Sequence, residues 1–401
     1  MAITDKEKGV WGLDQVYNKQ NQGSIWEYTT TVTQLWTWGS NNEGRLGQPN
    51  QSNYSSPIQI PGTTWSALSP SVGAMVNNNS ENGQQTMFGL KTDATAWGWG
   101  RNEQGEIPVN TSDSYSSPRQ IPGSWSTISN AYMGGYGIKT DGTLWGWGRA
   151  DYGQLGQGSP APSQPYRSSP VQLGSATDWK DVTTDGRQSM LAINTSGELY
   201  GVGRNLRGVC MQNNTNQLNQ LEKSNYGASW DRFVPQGGHN MNFAGFKTDG
   251  TLWAGGENNG NFGLNNTTQY SSPVQIPGTW SNAVLSAGFI GTKTDGTLWT
   301  MGNNTWGILG QNNTTSYSSP IQIPGTWSST VFGNGRFAGA AKADGTLWIW
   351  GRGNSGIFAQ NGGAPFGLQG SFSSPVQIPG TDWIGRDVSW SYTTLAFLKE
   401  F

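Results

Sequence analysis

The chain has 401 residues, with 59 glycines, 21 tryptophans, 12% charged residues and a formal net charge of −2. Many aromatics with little net charge are the reverse of a disordered composition, and without a basic run there is no electrostatic footprint for a nucleic-acid backbone. A single cysteine, Cys210, excludes an internal disulfide, and no apolar run is long enough to enter a membrane as a spanning segment.

Residues 1–32 carry no repeat. Met1 to Lys8 is polar, alternating Asp5, Lys6, Glu7 and Lys8, and no apolar stretch of the signal-peptide kind follows it. Beyond them one phrase recurs: Lys-Thr-Asp-Gly-Thr-Leu-Trp, a Gly-rich turn, then Ser-Ser-Pro-Val-Gln-Ile-Pro-Gly-Thr-Trp. Its first aromatic stands at Trp36, Trp97, Trp145, Tyr200, Trp253, Trp299 and Trp348. The spacing runs from 46 residues (Trp253 to Trp299) to 61 (Trp36 to Trp97), the period of propeller blades. The closing tryptophan recurs at Trp65, Trp125, Trp179, Trp230, Trp280, Trp327 and Trp383.

In chain order, the strand predicted at Leu35 to Gly39 lacks the preceding strand that every later copy has. Ala74 to Gln85 is an Asn-rich insertion ahead of the second hairpin. Asp141-Gly142, Asp249-Gly250, Asp295-Gly296 and Asp344-Gly345 read as two-residue hairpin turns, where positive φ favours Asp and Gly. Asp93-Ala94 departs from this, and Ala94 predicts a turn of another type or a looser one. Ser196-Gly197 is the other departure. Leu144 to Gly148 predicts a strand with Trp145 and Trp147 on one face and small residues on the other. In the fourth copy, Leu206 to Gly227 replaces the Ser-Ser-Pro-Val-Gln phrase, and Cys210 within it reads as a buried apolar residue. Phe358 to Gly370 is a third, Gly-rich excursion. Val388 to Lys399 resembles Val284 to Lys293 and is predicted to be the missing strand, pairing with Leu35 to Gly39. That pairing closes an all-β, seven-bladed propeller over residues 33–401 and removes its open edges. Residues 1–32 stand apart as an anchoring or docking segment.

These repeats resemble the RCC1 family, named for the regulator of chromosome condensation. Leu144 to Gly148 followed by Gly153-Gln154-Leu155-Gly156 carries the likeness, as do Gly44-Arg45-Leu46-Gly47 and Gly307-Ile308-Leu309-Gly310. The resemblance implies the seven-bladed fold. The family's founding member is a nucleotide exchange factor for a small GTPase with a basic tail that binds chromatin. Met1 to Lys8 is no such tail, and none of the family's exchange loops is matched here. A second likeness concerns Gly9 to Tyr17 and Gly23 to Trp26, which resemble N-terminal segments of tailed-phage virion proteins.

Seventeen of the 21 tryptophans occupy repeat positions and read as wedge-filling core rather than sugar platforms. Trp306 and Trp390 fall in a turn and in the closing strand. Trp11, Leu13, Tyr17 and Trp26 are the candidate docking residues, because the repeat does not account for them. Catalysis finds little footing: His239 is the single histidine, no nucleophile elbow accompanies it, and the aspartates recur as turn residues. No cofactor or metal is expected. Irregular loops on a rigid scaffold are the expected binding surfaces. The expectation is a non-enzymatic structural or attachment protein of a phage virion, a capsid decoration or tail-associated adhesin. It would be present in several copies and contact other virion proteins and a host surface. The alternatives are a regulatory propeller that binds a GTPase or inhibits an enzyme, and a glycan-binding lectin.

Overall fold

The computed structural model describes residues 33–400 apart from 63, 70–85, 132, 159–165, 186–187, 238–240, 354–355, 360–370, 382, 384–387 and 391–393. They form seven sheets, the blades of a closed propeller. Blade 2 shows the plan: Trp125–Ala131, Gly134–Lys139, Leu144–Arg149 and Tyr166–Gln172, each antiparallel to the one before. Blades 1, 3, 4, 5 and 6 repeat it over residues 65–121, 179–223, 230–276, 280–323 and 327–378. First strands of neighbouring blades, such as Trp280–Ser286 and Trp327–Gly333, touch one another and therefore lie innermost. Fourth strands such as Tyr115–Ile121 are the most exposed and form the rim. Their proline, Pro118 here, needs no ladder hydrogen bond from its nitrogen at an edge.

Blade 7 is composite, as expected, but the C-terminal run contributes more than one strand. Val388–Trp390 is the inner strand and Thr394–Glu400 the second, while Thr33–Gly39 and Tyr54–Ile60 complete the sheet. Thr33 to Gly39 pair residue for residue with Glu400 to Thr394, burying Leu35, Leu395, Phe397 and Leu398. Trp390 is buried there too, against Phe332 of blade 6. Leu206 to Gly227, which lacks the proline phrase, still supplies an outer strand. Leu218–Lys223 takes the fourth-strand position of blade 3 without the Ser-Ser-Pro phrase, because the edge strand needs extended backbone and one inward residue, Leu218.

Neighbouring blades are tied in three ways. On the third strand, a fully buried indole donates Nε1–H to the preceding blade's loop: Trp38 to Ile357 O, Trp99 to Arg45 O, Trp147 to Glu106 O and Trp350 to Ile308 O, at 2.8–2.9 Å. Blades 3–5 have Val202, Gly255 and Met301 at that position. There polar side chains tie the inner strands: Phe233 N donates to Asp181 at 2.7 Å, Arg232 donates to Ser281 O and Asn282 to Ser329 O, both at 2.9 Å. At the rim, the loop glycine of one blade rests on the start of the next blade's outer strand, as Gly44 does on Ser116 and Gly356 on Ser55. A Cβ on Gly44 would lie 2.3 Å from Ser116 Cα.

The Asp-Gly turns correct the sequence reading. Gly142 N donates to Lys139 O (2.9 Å) and Lys139 N to Thr143 O (3.0 Å). Gly142 has φ +80°, and Asp141 is not among the positive-φ residues. This is a three-residue loop, a four-residue turn followed by one left-handed residue, so only the Gly position demands positive φ. Asp141 serves the turn otherwise: Oδ1 accepts from Thr143 N (3.0 Å) and Oγ1 (2.6 Å), and Thr143 Oγ1 accepts from Trp145 Nε1 (2.7 Å). The same relay recurs from Asp93, Asp249, Asp295 and Asp344. Lys139 Nζ stands 3.6 Å from the Trp145 ring centre and 5.5 Å from Trp125, a cation–π sandwich repeated in blades 1, 4, 5 and 6. Ala94 does not loosen its turn. It adopts φ +63° and keeps the hydrogen bond to Lys91 O at 3.0 Å. Relieving that conformation by Ala94→Gly is expected to stabilise the fold by about 0.5–1 kcal/mol, read as a higher denaturant midpoint at unchanged slope.

Two sets of carboxylates pull stability in opposite directions with pH. Burial pushes Asp181 up to about 6 against the downward pull of the Phe233 and Val182 amides; Lys180 and Asp231, paired at 2.7 Å, are the charges beside it. A raised acid holds its proton more tightly when folded, so stability grows as pH falls from above 6 toward 3.8. Glu106 is raised by burial in the same sense. Threonine hydrogen bonds hold Asp93, Asp141, Asp249, Asp295 and Asp344 below their ordinary 3.8, so their contribution is full above that value and is lost on further acidification. Thermal midpoints are therefore expected to peak between about pH 4 and 6, and a maximum near pH 8 would contradict this assignment.

Candidate functional site: the loop face

The two faces of the propeller are built differently. One carries the Asp-Gly turns, and its polar groups are used internally by the aspartate relay and the lysine sandwiches. Turn and neighbour also interlock: Trp125 N donates to Ala94 O (2.8 Å) and Trp179 N to Gly142 O (3.1 Å). On the other face lie the connections from first to second strand and from third to fourth. Their frame is regular, but their exposed residues are not. In blade 5 the buried Asn304 accepts Leu309 N (2.9 Å) through Oδ1 and donates Nδ2–H to Asn313 O (3.0 Å), and Asn41, Asn102 and Asn205 do the same in theirs. A rigid loop base with variable tips is the arrangement of a binding face.

Two of the irregular stretches singled out in the sequence reach this loop face in part. Ala74 to Gln85 lies outside the described residues. Leu206 to Gln217 forms the long connection of blade 3, and the described part of Phe358 to Gly370 lies in that of blade 6. Among the described residues, the exposed large hydrophobics are Tyr166 (43%), Leu206 (47%) and Phe372 (39%), and all three sit here.

Two blade seams carry aromatic–arginine stacks. The residue before a blade's loop glycine meets the residue after the next blade's strand glycine. At the blade 2–3 seam Tyr152 lies under Arg204 (4.6 Å to the ring centre), with Arg149 of its own blade on it as well (5.4 Å). Asp151 holds Arg149 through two oxygens at 2.8 and 2.6 Å, and Gln188 Oε1 accepts from Arg204 at 2.9 Å. At the blade 5–6 seam Arg352 lies 4.2 Å from the Trp306 ring, so Trp306 is part of an inter-blade stack rather than only a turn residue. Sequence reading missed these partners. Aligning the residue before each loop glycine with the one after each strand glycine would have found them, since these two seams align an aromatic residue with an arginine, whereas Glu43 aligns with Arg101.

Trp11, Leu13, Tyr17 and Trp26 lie outside the described residues, as does His239. Cys210 is fully buried, burial pushes its thiol pKa up, and its Sγ is 3.8 Å from Val202 O. No group of three or more His, Cys, Asp and Glu able to hold a metal occurs among the described residues. The repeated turn aspartates sit on separate blades, each bound to its own threonine. On the turn face, a groove of about 400 Å³ between blades 7 and 1 is walled by Trp65, Lys91, Trp97, Pro61 and Pro118, which are parts of the repeated lysine sandwich and rim.

Three stretches, residues 34–69, 141–191 and 295–333, match the family described as the regulator of chromosome condensation (RCC1) repeat. No curated protein sequence matches the chain. Among solved structures, human WBSCR16 is similar with a TM-score of 0.75 at 16% identity, covering 92% of this chain and 99% of that one. Prp20p from Saccharomyces cerevisiae gives 0.75 at 14% identity, covering 92% of each chain. At such identity the likeness speaks for fold alone. The chain is thus a closed seven-bladed propeller of RCC1-type repeats.

Proposed function

We propose that this chain is a non-enzymatic, protein-binding propeller that engages its partner through the loop face. The observation that carries this reading is the asymmetry of the faces: among the described residues, the exposed large hydrophobics, the arginine stacks and the loop Leu206 to Gln217 share one side, while the turn side uses its polar groups internally. Structural neighbours support it, since Prp20p is described by its binding to Gsp1p and histones, and yeast RCC1 (Prp20) has been seen bound to Kap60. The regulatory-propeller reading is therefore preferred to the virion role. Docking onto a larger assembly through residues 1–32 is a compatible addition. Thr33 bridges Thr64 and pairs with Glu400 at the turn-face end of blade 7, so that segment joins the propeller opposite the loop face. Affinity capture with the full chain, Leu206→Glu and Thr294→Arg tests the reading. A partner lost only with the loop-face variant is expected; one lost only with Thr294→Arg on the turn face would overturn it.

A further inference from the structure

The blade 2–3 seam sets an arginine–tyrosine–arginine stack on the loop face, with an exposed hydrophobic residue near each end. Tyr166, first residue of the outer strand, pairs with Arg149 in the sheet. Arg149 lies over Tyr152, Tyr152 under Arg204, and Leu206 follows two residues along the same loop. Tyr166 and Leu206 are two of the three exposed large hydrophobics. Tyrosine and arginine are the residue types that concentrate binding energy at protein interfaces, and stacking on an aromatic ring fixes a guanidinium before a partner arrives.

Charge decides what would sit there. Arg149, Arg167, Arg204 and Arg207 lie along this part of the face with two carboxylates, Asp151 and Asp185. Asp151 is taken by Arg149, and Asp185 is buried, accepting the Gln188 and Ser189 amides at 3.0 Å. Arg204 has a neutral partner, Gln188, and no ion pair among the described residues. The sector around blades 7 and 1 is the opposite, with Glu43, Glu103, Glu106 and Asp113 against Arg45 and Arg101.

Resting on the protein-binding reading, we propose that the group Tyr166–Arg149–Tyr152–Arg204–Leu206 is a docking site for an acidic protein segment. A carboxylate would sit on the planar donors of Arg204, and an adjoining apolar side chain between Leu206 and Tyr166. A protein segment is favoured over a nucleic acid because the patch pairs its arginines with aliphatic surface, and the chain as a whole is acidic, with a net charge of −2.

The test is fluorescence anisotropy with a labelled Glu-rich decapeptide carrying a central Leu, at roughly 50 mM salt where screening is weak. Arg204→Gln and Leu206→Glu should each weaken binding by about tenfold or more, whereas Arg352→Gln at the other stacked seam leaves it unchanged. Matching thermal midpoints show that the variants are folded, and Leu206, being exposed, gives a second variant should Arg204→Gln unfold. Equal binding of the Gln-for-Glu peptide, loss with Arg352→Gln alone, or tighter binding of a single-stranded oligonucleotide would overturn the assignment. Failure here with capture still lost through Leu206→Glu would leave the loop face as the binding face and remove only the acidic segment.

Discussion

A chain ending at Trp390 is expected to lose the cooperative propeller altogether rather than simply drop one strand. The missing strand supplies the inner ladder of Thr33–Gly39, which would keep only Tyr54–Ile60 as a partner, and places Leu395, Phe397 and Leu398 in the core, with Phe397 edge-on to Trp383 at 5.6 Å. Burying a large apolar side chain contributes roughly 1.5–3 kcal/mol, so these three alone account for about 5–9 kcal/mol. Whole domains are stable by only about 5–15 kcal/mol. Thr33–Gly39 and Val388–Trp390 would also face solvent as open edges, so aggregation accompanies the loss. Near-UV circular dichroism of the tryptophans and a denaturant titration check this. A truncated chain with a native spectrum and one sharp transition would refute closure by this strand. The converse also follows: because Thr33 and Glu400 are paired neighbours, a permutant joining residue 401 to residue 33 by an Asp-Gly-Thr turn and starting at Trp65 should fold.

Trp147→Ala is the second large effect. Its indole is 1% exposed, packs against Phe88 (5.9 Å) and Trp125 (5.6 Å), and donates to Glu106 O across the blade 1–2 seam at 2.8 Å. Removing a buried Trp side chain costs about 3–5 kcal/mol, and leaving the Glu106 carbonyl unpaired adds about 1–3 kcal/mol. Trp147→Phe keeps most of the apolar surface and should cost mainly the hydrogen bond. Urea midpoints of the two variants should therefore differ clearly, with Trp147→Ala the lower. Equal midpoints would mean that the seam is held elsewhere.

The ring of seven and its composite blade were legible because a period near fifty residues and a missing first strand are global features that survive local exceptions. Turn geometry was less so. Asp-Gly is compatible with both a two-residue and a three-residue hairpin, and only the backbone shows that Asp141 stays at negative φ while Ala94 accepts a positive one. The outer strand of the fourth copy was not legible for a different reason: an edge strand tolerates Leu218–Lys223 in place of the proline phrase, since its outward residues face solvent. Across the seams, nothing in one copy says which residue of the next it meets. Tyr152 and Arg204 are brought together by the stacking of blades, and Asp181 with the amide of Phe233 likewise. Trp11, Leu13, Tyr17 and Trp26 remain sequence candidates outside the described residues.

Hydrogen exchange on the chain alone and with its captured partner is the most direct test of the division of labour between the faces. Slower exchange is expected in the loop-face segments 150–158 and 204–217, with no change at the Asp141-Gly142 and Asp295-Gly296 turns. Protection at those turns with the loops unaltered would contradict it.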